Sequence, residues 1–272
     1  MNRFKYEFTL IGEHESLTRA MAQFDRSQDV VFFNDDSDVP SYYFSSMHLE
    51  GLTDLVQVWD RATQLLKIYN AAHELIETTQ ASPRLHYPSL GLKVLYIGND
   101  NLSNYSPGGM PRYQIATFDA NVTADNSDNI TMYGKLLYLA RTEPDAFEVL
   151  QLFSQVLYMP DYYKVFESAR TAMGKSAFDT MLSEQGLLVD YNRFKSTTNN
   201  LDVGKQNSRH GRQSKAVPRS GSIMPPAMTP EEAKTLAMKI GRRFFMANYN
   251  FLFPPEAGAS SVASSILVDD DF

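Results

Sequence analysis

An amphipathic stripe between residues 52 and 78 constrains the fold more than any other feature of this 272-residue sequence. Its apolar side chains recur at steps of three and four residues, the period of one face of an α-helix. Pro83 follows and stops anything longer. We therefore predict a helix over 52–78, with Trp59 in the core and His73 as a hydrogen-bonded core histidine. The stripe consists of Leu52, Leu55, Trp59, Ala62, Leu66, Tyr69, His73 and Ile76.

Short strand-like segments surround that helix. Residues 4–11 alternate apolar and polar side chains, as a half-buried strand does. Two aromatic and β-branched segments, 30–33 and 42–44, flank the acidic turn NDDSDVP, which lacks the glycine and the glutamate of a calcium loop. Two further segments, 92–97 and 113–118, predict an antiparallel pair with a long connection.

The chain then changes from strand to helix patterning. We predict helices from Pro144 to about 158, from Pro160, over 175–188 and over 190–197, and a capped helix that starts at Thr229-Pro230-Glu231-Glu232. The expected fold class is α+β. A β-rich N-terminal domain with one long amphipathic helix (1–130) precedes a mainly α-helical C-terminal domain (131–255), and a mobile acidic tail (256–272) follows.

The composition and the missing motifs of the sequence argue against several classes of function. The chain has no cysteine, which excludes disulfides, thiolate zinc sites and cysteine nucleophiles. It has no dinucleotide fingerprint, no P-loop and no serine-hydrolase elbow, and we expect neither a cofactor nor a metal site. No apolar run of membrane-spanning length and no signal-peptide pattern is present. We therefore expect a bacterial, cytoplasmic protein without a membrane partner.

The segment 203–222 interrupts an otherwise acidic chain. The formal net charge is −7, and five cations in this segment, with no acid between them, contribute +5, which leaves −12 for the rest. A surface of that sign disfavours general binding to nucleic acid or anionic membrane, so any polyanion contact must be local. The candidate anion-binding or nucleic-acid-binding residues are Lys205, Arg209, Arg212, Lys215 and Arg219.

Three interpretations of this segment stay open. It can be a connector or a tether that folds back onto helix ends. Its cations can neutralise phosphates and release counterions, since arginine grips an oxyanion with two hydrogen bonds. Alternatively, Arg209 and His210 can act together in metal-independent RNA cleavage, with the histidine moving a proton and the arginine stabilising the phosphorane. A segment this long inside a compact domain is usually functional or disordered.

The helical half resembles the HEPN superfamily, many of whose members are RNases in toxin–antitoxin and phage-defence systems. It is also similar to the layout of uncharacterised bacterial proteins with a β-rich first part and a helical second part. The resemblance covers about 140–250. It rests on Asp161-Tyr162-Tyr163-Lys164 with Glu167, on Phe194 with Thr198-Asn199, on Ser208-Arg209-His210-Gly211 and on Thr229-Pro230-Glu231-Glu232-Ala233.

This sequence does not keep the spacing between arginine and histidine that is typical of HEPN RNases. HEPN RNases place four to six residues between an arginine and a histidine on one helix face, whereas Arg209 directly precedes His210. Lys205, Gly204 and Val203 stand at the matching distances from His210. Only Lys205 could mimic the arginine, and Gly204 beside it disfavours a regular helix there. We therefore expect a non-enzymatic interaction protein that contacts nucleic acid or an acidic protein surface through 203–222. The alternatives are a HEPN-like RNase, as a homodimer, using His210 and Arg209 with Lys205 or Tyr163 assisting, and a structural assembly subunit docked by its acidic tail.

Overall fold

The chain folds as an α+β protein, as the sequence predicts. The computed structural model describes residues 4–22, 30–35, 38, 41–77, 90–97, 100–102, 115–122, 131–155, 158–199 and 226–253. Within these ranges the strands lie in the N-terminal part and most helices lie in the C-terminal part. The described residues contain no helix with both the length and the apolarity of a membrane span.

Within the described part of the chain, five antiparallel strands form the sheet, in the order β2-β3-β1-β4-β5. Most of their positions match the alternating and β-branched segments of the sequence. A bulge in β4 shifts the register between Thr9 and Leu10 of β1. The strands are β1 (Tyr6–Ile11), β2 (Val31–Asn34), β3 (Tyr42–Ser45), β4 (Gly91–Ile97) and β5 (Asp100–Leu102).

One face of the sheet is a core layer. In register, Phe8 lies between Phe44 and Leu95, and Phe44 pairs in turn with Phe32. All four side chains are at most 4% exposed. Alternate residues of β1 are buried and half-buried, so the period-two pattern of the sequence sets which face meets the core.

Helix α2 (Leu55–Glu77) covers this core layer and confirms the predicted helix. Its Trp59 ring meets the Phe8 ring edge-on at 5.3 Å, and its Tyr69 ring lies 4.4 Å from the Phe32 ring. Asp54 accepts the Val56 backbone N–H at 2.8 Å and caps the helix start. The apolar stripe is therefore buried against the sheet, where burial contributes about 25 cal/mol per Å² of apolar surface.

The other helices begin and end at recognisable signals. Pro144 is the first residue of its helix, and Thr229 and Glu232 form the predicted capping box of the last one. Gly174, with a φ of 79°, separates two consecutive helices, because glycine adopts a positive φ without steric cost. In chain order the remaining helices are α1 (His14–Ala22), α3 (Met132–Thr142), α4 (Pro144–Phe153), α5 (Tyr162–Met173), α6 (Lys175–Glu184), α7 (Leu188–Asn199) and α8 (Pro230–Tyr249).

Helix α2 also packs against the helical half. It contacts α3, α4 and α8, and the buried apolar residues of both halves form one continuous cluster. Arg242 of α8 donates from Nε to the Leu75 carbonyl near the end of α2, at 2.6 Å. The division at residue 130 stays a prediction, and α2 is the element through which the two parts meet.

Several parts of the sequence prediction are wrong, among them the end of the helix from Pro144, which stops at Phe153 rather than near residue 158. Residues 115–118 do not form a strand, and β4 pairs with β1 and β5 instead. Arg61 donates a hydrogen bond from Nε to the Ala116 carbonyl at 3.0 Å, and the Thr117 hydroxyl donates to Gln64 Oε1 at 2.7 Å. Residues 115–118 are therefore bound by side chains of α2 instead of pairing with a strand. Helix α1 (His14–Ala22) was not predicted from the sequence.

Candidate functional site

The predicted site residues belong to the segment that joins α7 to α8. That segment starts after Asn199 and ends before Pro226, and both flanking residues are described. The contacts between its two ends form what we call the clamp: Arg193, Thr197, Glu232 and residues 226–229. Outside the described residues lie Lys205, Arg209, His210, Arg212, Lys215, Arg219 and the acidic tail 256–272.

One guanidinium group holds most of the clamp. Arg193 projects from α7 and donates from Nε to the Pro226 carbonyl at 2.9 Å and from Nη2 to the Ala227 carbonyl at 3.0 Å. The same group binds both carboxylate oxygens of Glu232, each at 2.9 Å. A planar fork with five donors suits this task, since it can satisfy two carbonyls and a carboxylate together.

A buried hydroxyl completes the connection. The Thr197 hydroxyl accepts the backbone N–H of Met228 at 2.9 Å and donates to the Arg193 carbonyl at 3.0 Å. Thr197 is fully buried and Met228 is 2% exposed. Because a buried backbone N–H needs a partner, this hydroxyl fixes the point at which the chain returns to the helical part.

Glu232 links the clamp to the start of α8. Its Oε2 accepts the Thr229 backbone N–H at 2.8 Å, and the Thr229 hydroxyl accepts the Glu232 backbone N–H at 3.2 Å. The Thr229 backbone N–H and then the Arg193 guanidinium hold the pKa of Glu232 below its ordinary value of 4.5. The carboxylate therefore stays charged and paired at neutral pH.

The clamp places the two ends of the segment side by side. Thr197 lies two residues before the last residue of α7, and its partner Met228 lies two residues before the first residue of α8. A direct connection between α7 and α8 would need only a few residues. The chain instead inserts residues 200–225, including all five predicted cations, between two adjacent points.

The described histidines occupy packing positions. His73 is buried and its Nδ1 lies 3.1 Å from the Tyr133 hydroxyl, which confirms the predicted core histidine. His14 is exposed at the start of α1, with its ring against Tyr42. Tyr163, named as an assisting residue, stacks on Phe194 at 6.3 Å. Among described residues no group of three metal-ligating side chains comes together.

A buried polar network around Arg61 was not visible in the sequence. Arg61 donates to the His48 carbonyl at 2.7 Å and pairs with Asp119 at 3.3 Å. His48 Nδ1 accepts the Asp119 backbone N–H at 2.9 Å. The backbone N–H of Asn121 and the Arg61 guanidinium lower the pKa of Asp119 against the opposing effect of burial. The network fastens residues 115–122 to α2 and stabilises the fold.

A shallow cleft of about 290 Å³ lies between α3 and the residues that follow α8. Its surface is part polar and part apolar, and Lys135 is the charged residue among the described lining residues. The described lining residues include no carboxyl group and no imidazole, the groups that most often serve as general acid and base. The lining consists of Met132, Lys135, Tyr138, Leu139, Tyr249, Asn250, Phe251 and Leu252.

Comparisons with protein-family models, with curated proteins and with solved structures give no match. The HEPN resemblance therefore stays a prediction that rests on the residues quoted above. The function has to be inferred from the chain itself, and the clamp is the feature of the described residues closest to the predicted site.

The key residue of the clamp was missed by sequence reasoning. Glu232 was found through its capping-box spacing, but Arg193 lies 39 residues before it. The one available signal was Arg193 itself, a cation within the predicted helix 190–197. No local spacing rule connects an arginine to a carboxylate on another helix.

Proposed function

We propose that this protein is a non-enzymatic binding protein whose basic segment 203–222 contacts nucleic acid. The observation that carries the proposal is the clamp, which brings the two ends of the segment together. A connector only has to span a gap, and here the gap is already closed by Arg193 and Thr197. The length and the charge of the segment therefore call for another explanation, and binding supplies it.

The composition of the segment favours nucleic acid over an acidic protein surface. Protein interfaces depend on buried aromatic and large aliphatic anchors, and residues 203–222 contain no aromatic residue and no Leu, Ile or Met. Phosphates need cations and hydrogen-bond donors, which this segment supplies in abundance. Three of its five cations are arginine, the side chain that binds phosphate through two parallel hydrogen bonds.

Salt-dependent binding tests the proposal. Fluorescence anisotropy with labelled single-stranded RNA and DNA, in EDTA and over a range of salt, is expected to give tighter binding at low salt. Five phosphate contacts to a single strand correspond to a slope of log K against log salt of about −3.5. Changing Arg209 and Arg212 to Gln is expected to make that slope shallower by about 1.4.

The matched control removes exposed cations from other places. Changing Lys67 and Lys239 to Gln removes the same charge from α2 and α8, and these variants are expected to keep the wild-type slope. An equal loss in both double variants would mean that net charge alone drives the binding, and the proposal would fail. Binding of an acidic protein without any binding of RNA or DNA would also reject it.

His210 separates binding from cleavage. His210→Ala is expected to bind RNA as the wild type does, and both proteins are expected to leave the RNA intact in EDTA. Cleavage by the wild type that disappears in His210→Ala would replace the proposal with the HEPN-like RNase alternative.

A further inference from the structure

The sheet has a second face, opposite to the core layer, and it carries aromatic rings. Thr9 pairs with Tyr43 on one side and with Val94 on the other, and Tyr43 pairs in turn with Phe33. Two residues before Thr9 on β1, Glu7 pairs with Tyr96 of β4. Residues directly opposite each other point to the same side, so these side chains share one surface. We call it the aromatic face: Glu7, Thr9, Phe33, Tyr43, Val94 and Tyr96.

The three rings of the aromatic face form one continuous row. Phe33 and Tyr43 are stacked, with centroids 5.2 Å apart and an angle of 11° between the planes. Tyr43 meets Tyr96 edge-on at 6.0 Å. Since β1 lies between β3 and β4, the two tyrosines reach over β1 to touch each other. All three rings are only half-buried, so part of each π-surface stays accessible.

The acidic side chains at this face are Glu7 and Asp35. Glu7 lies on β1 beside the tyrosine pair, half-buried, and burial raises the pKa of its carboxyl. Asp35 follows β2 directly, and its carboxylate raises the pKa of Tyr43, second to the effect of burial. The Thr9 hydroxyl oxygen is buried with no hydrogen-bond partner among the described residues. Rings with two carboxylates beside them favour a cation.

The shape of the face distinguishes between cations. Neighbouring strands lie about 4.8 Å apart, so the row from β2 to β4 spans roughly 14 Å, and its three rings stay partly exposed among the described residues. Such an open surface suits an extended chain better than a small enclosed ammonium. A guanidinium can lie flat on a ring and bind a carboxylate with its fork at the same time, whereas a lysine ammonium is a compact and strongly hydrated point charge.

We propose that the aromatic face binds an arginine-bearing peptide segment of a partner protein, with guanidinium groups over Tyr43 and Tyr96 and ion pairs to Glu7 and Asp35. This site lies on the sheet, apart from the clamp, and does not depend on the proposed function. The occupant follows from charge complementarity, because the face presents π-surfaces and carboxylates, and the exposed Asp38 lies in the connection between β2 and β3.

A hexa-arginine peptide, followed by isothermal titration calorimetry with the full chain, tests the proposal. Tyr43→Leu and Tyr96→Leu are each expected to weaken binding about three- to tenfold, and Tyr43→Phe is expected to bind like the wild type because the ring remains. Glu7→Gln is expected to weaken binding as well. Circular dichroism and the unfolding midpoint of each variant establish that it is folded.

Glu184→Gln is the control for charge, since it removes an exposed carboxylate from the end of α6, a different element from the sheet. It is expected to bind hexa-arginine like the wild type, and an effect equal to that of Glu7→Gln would overturn the proposal. So would Tyr43→Leu and Tyr96→Leu variants that fold and bind as the wild type does. Equal binding of a hexa-lysine peptide would contradict the assignment to arginine. If the ring variants lose binding of an oligothymidine instead of the peptide, the face stacks nucleobases and the proposal is wrong.

Discussion

Arg193 concentrates four hydrogen bonds in one side chain, and the planar fork makes this possible. Arg193→Lys keeps the charge but cannot reach two carbonyls and both carboxylate oxygens together. Because the side chains of Arg193 and Glu232 are 21% and 44% exposed, water screens their attraction. We expect Arg193→Lys to lower the free energy of unfolding by about 1 kcal/mol, measured by urea unfolding.

Arg243→Lys is the matched control for this change. Arg243 lies on α8 and contacts Met246 of the same helix, so its replacement is expected to change the unfolding free energy by less than about 0.5 kcal/mol. Equal effects of the two substitutions would show that the clamp adds nothing to stability beyond an ordinary surface arginine.

The carboxyl of Glu232 makes the clamp sensitive to acid. Its pKa is lowered in the folded chain, first by the Thr229 backbone N–H and then by Arg193. The stabilisation is therefore complete above the ordinary value of 4.5 and is lost as the pH falls through the lower folded value. We expect wild type to exceed Glu232→Gln in unfolding free energy by a constant amount above about pH 5.5, and this difference should shrink below pH 4.5. Urea unfolding at pH 7, 4.5 and 3 measures it, and a difference that does not change with pH would contradict the ion pair.

At the residue scale, local spacing explains which parts of the site were predictable. Thr229 and Glu232 are three residues apart, and the capping box requires that distance, so both were found. Arg193 and Thr197 act on residues more than 30 positions away, and only the fold brings them there. The five cations were found by composition, which identifies charge but not its position in space.

At the scale of helices and strands, the predicted elements were right where the apolar residues followed a single period, either helical or alternating. The long stripe became α2, and the alternation of residues 4–11 became β1. Residues 115–118 have the composition of a strand. However, Arg61 of α2 binds the Ala116 carbonyl and Gln64 of α2 binds the Thr117 hydroxyl, and these residues pair with no described strand. Helix α1 was missed because its nine residues are fewer than the roughly 11 to 18 over which helical periodicity is recognised.

A glycine in the last helix shows how closely the elements pack. A Cβ on Gly241 of α8 would lie 2.7 Å from the Phe153 ring of α4 and 3.4 Å from a Leu75 methyl of α2. Gly→Ala normally stabilises a helix interior by up to about 1 kcal/mol. Here the clash outweighs that gain, and we expect Gly241→Ala to lower the free energy of unfolding by about 1–3 kcal/mol. Thermal unfolding followed by circular dichroism measures it.

The double variant Gly241→Ala with Phe153→Leu tests the cause. The smaller side chain makes room for the new methyl group, so the two changes together should cost less than their separate effects summed. Strict additivity would mean that the methyl group does not meet the Phe153 ring, and a stabilised Gly241→Ala would mean that α8 can move away at no cost.

At the scale of the whole molecule, α2 has two roles. One of its faces covers the sheet, and its ends and flanks meet α3, α4 and α8, so a single apolar cluster joins the β-rich part to the helical part. Arg61 and Arg242 add polar connections at either end of α2, to residues 115–119 and to α8. The aromatic face lies on the far side of the sheet from this cluster, whereas the clamp joins the cluster through the buried side chain of Met228.

The clamp predicts that folding does not need the basic segment. If Arg193 and Thr197 already hold the ends together, then replacing residues 203–222 with Gly-Ser-Gly-Ser leaves every described contact of the clamp in place. Shortening a closed loop lowers its entropic cost, and we expect the free energy of unfolding to rise by about 1 kcal/mol or less. Binding of single-stranded RNA and DNA is expected to disappear in the same variant, while binding of hexa-arginine is expected to persist.

Urea unfolding and anisotropy on one preparation measure both properties, and combining the replacement with Arg193→Lys gives the control. With the clamp weakened, the short linker must hold the ends by itself, so Arg193→Lys should cost less in the shortened chain than in the full one. A loss of several kcal/mol on replacing 203–222 would mean that the segment is part of the core. The proposed separation between a rigid base and a binding segment would then be wrong, even if nucleic-acid binding also disappeared.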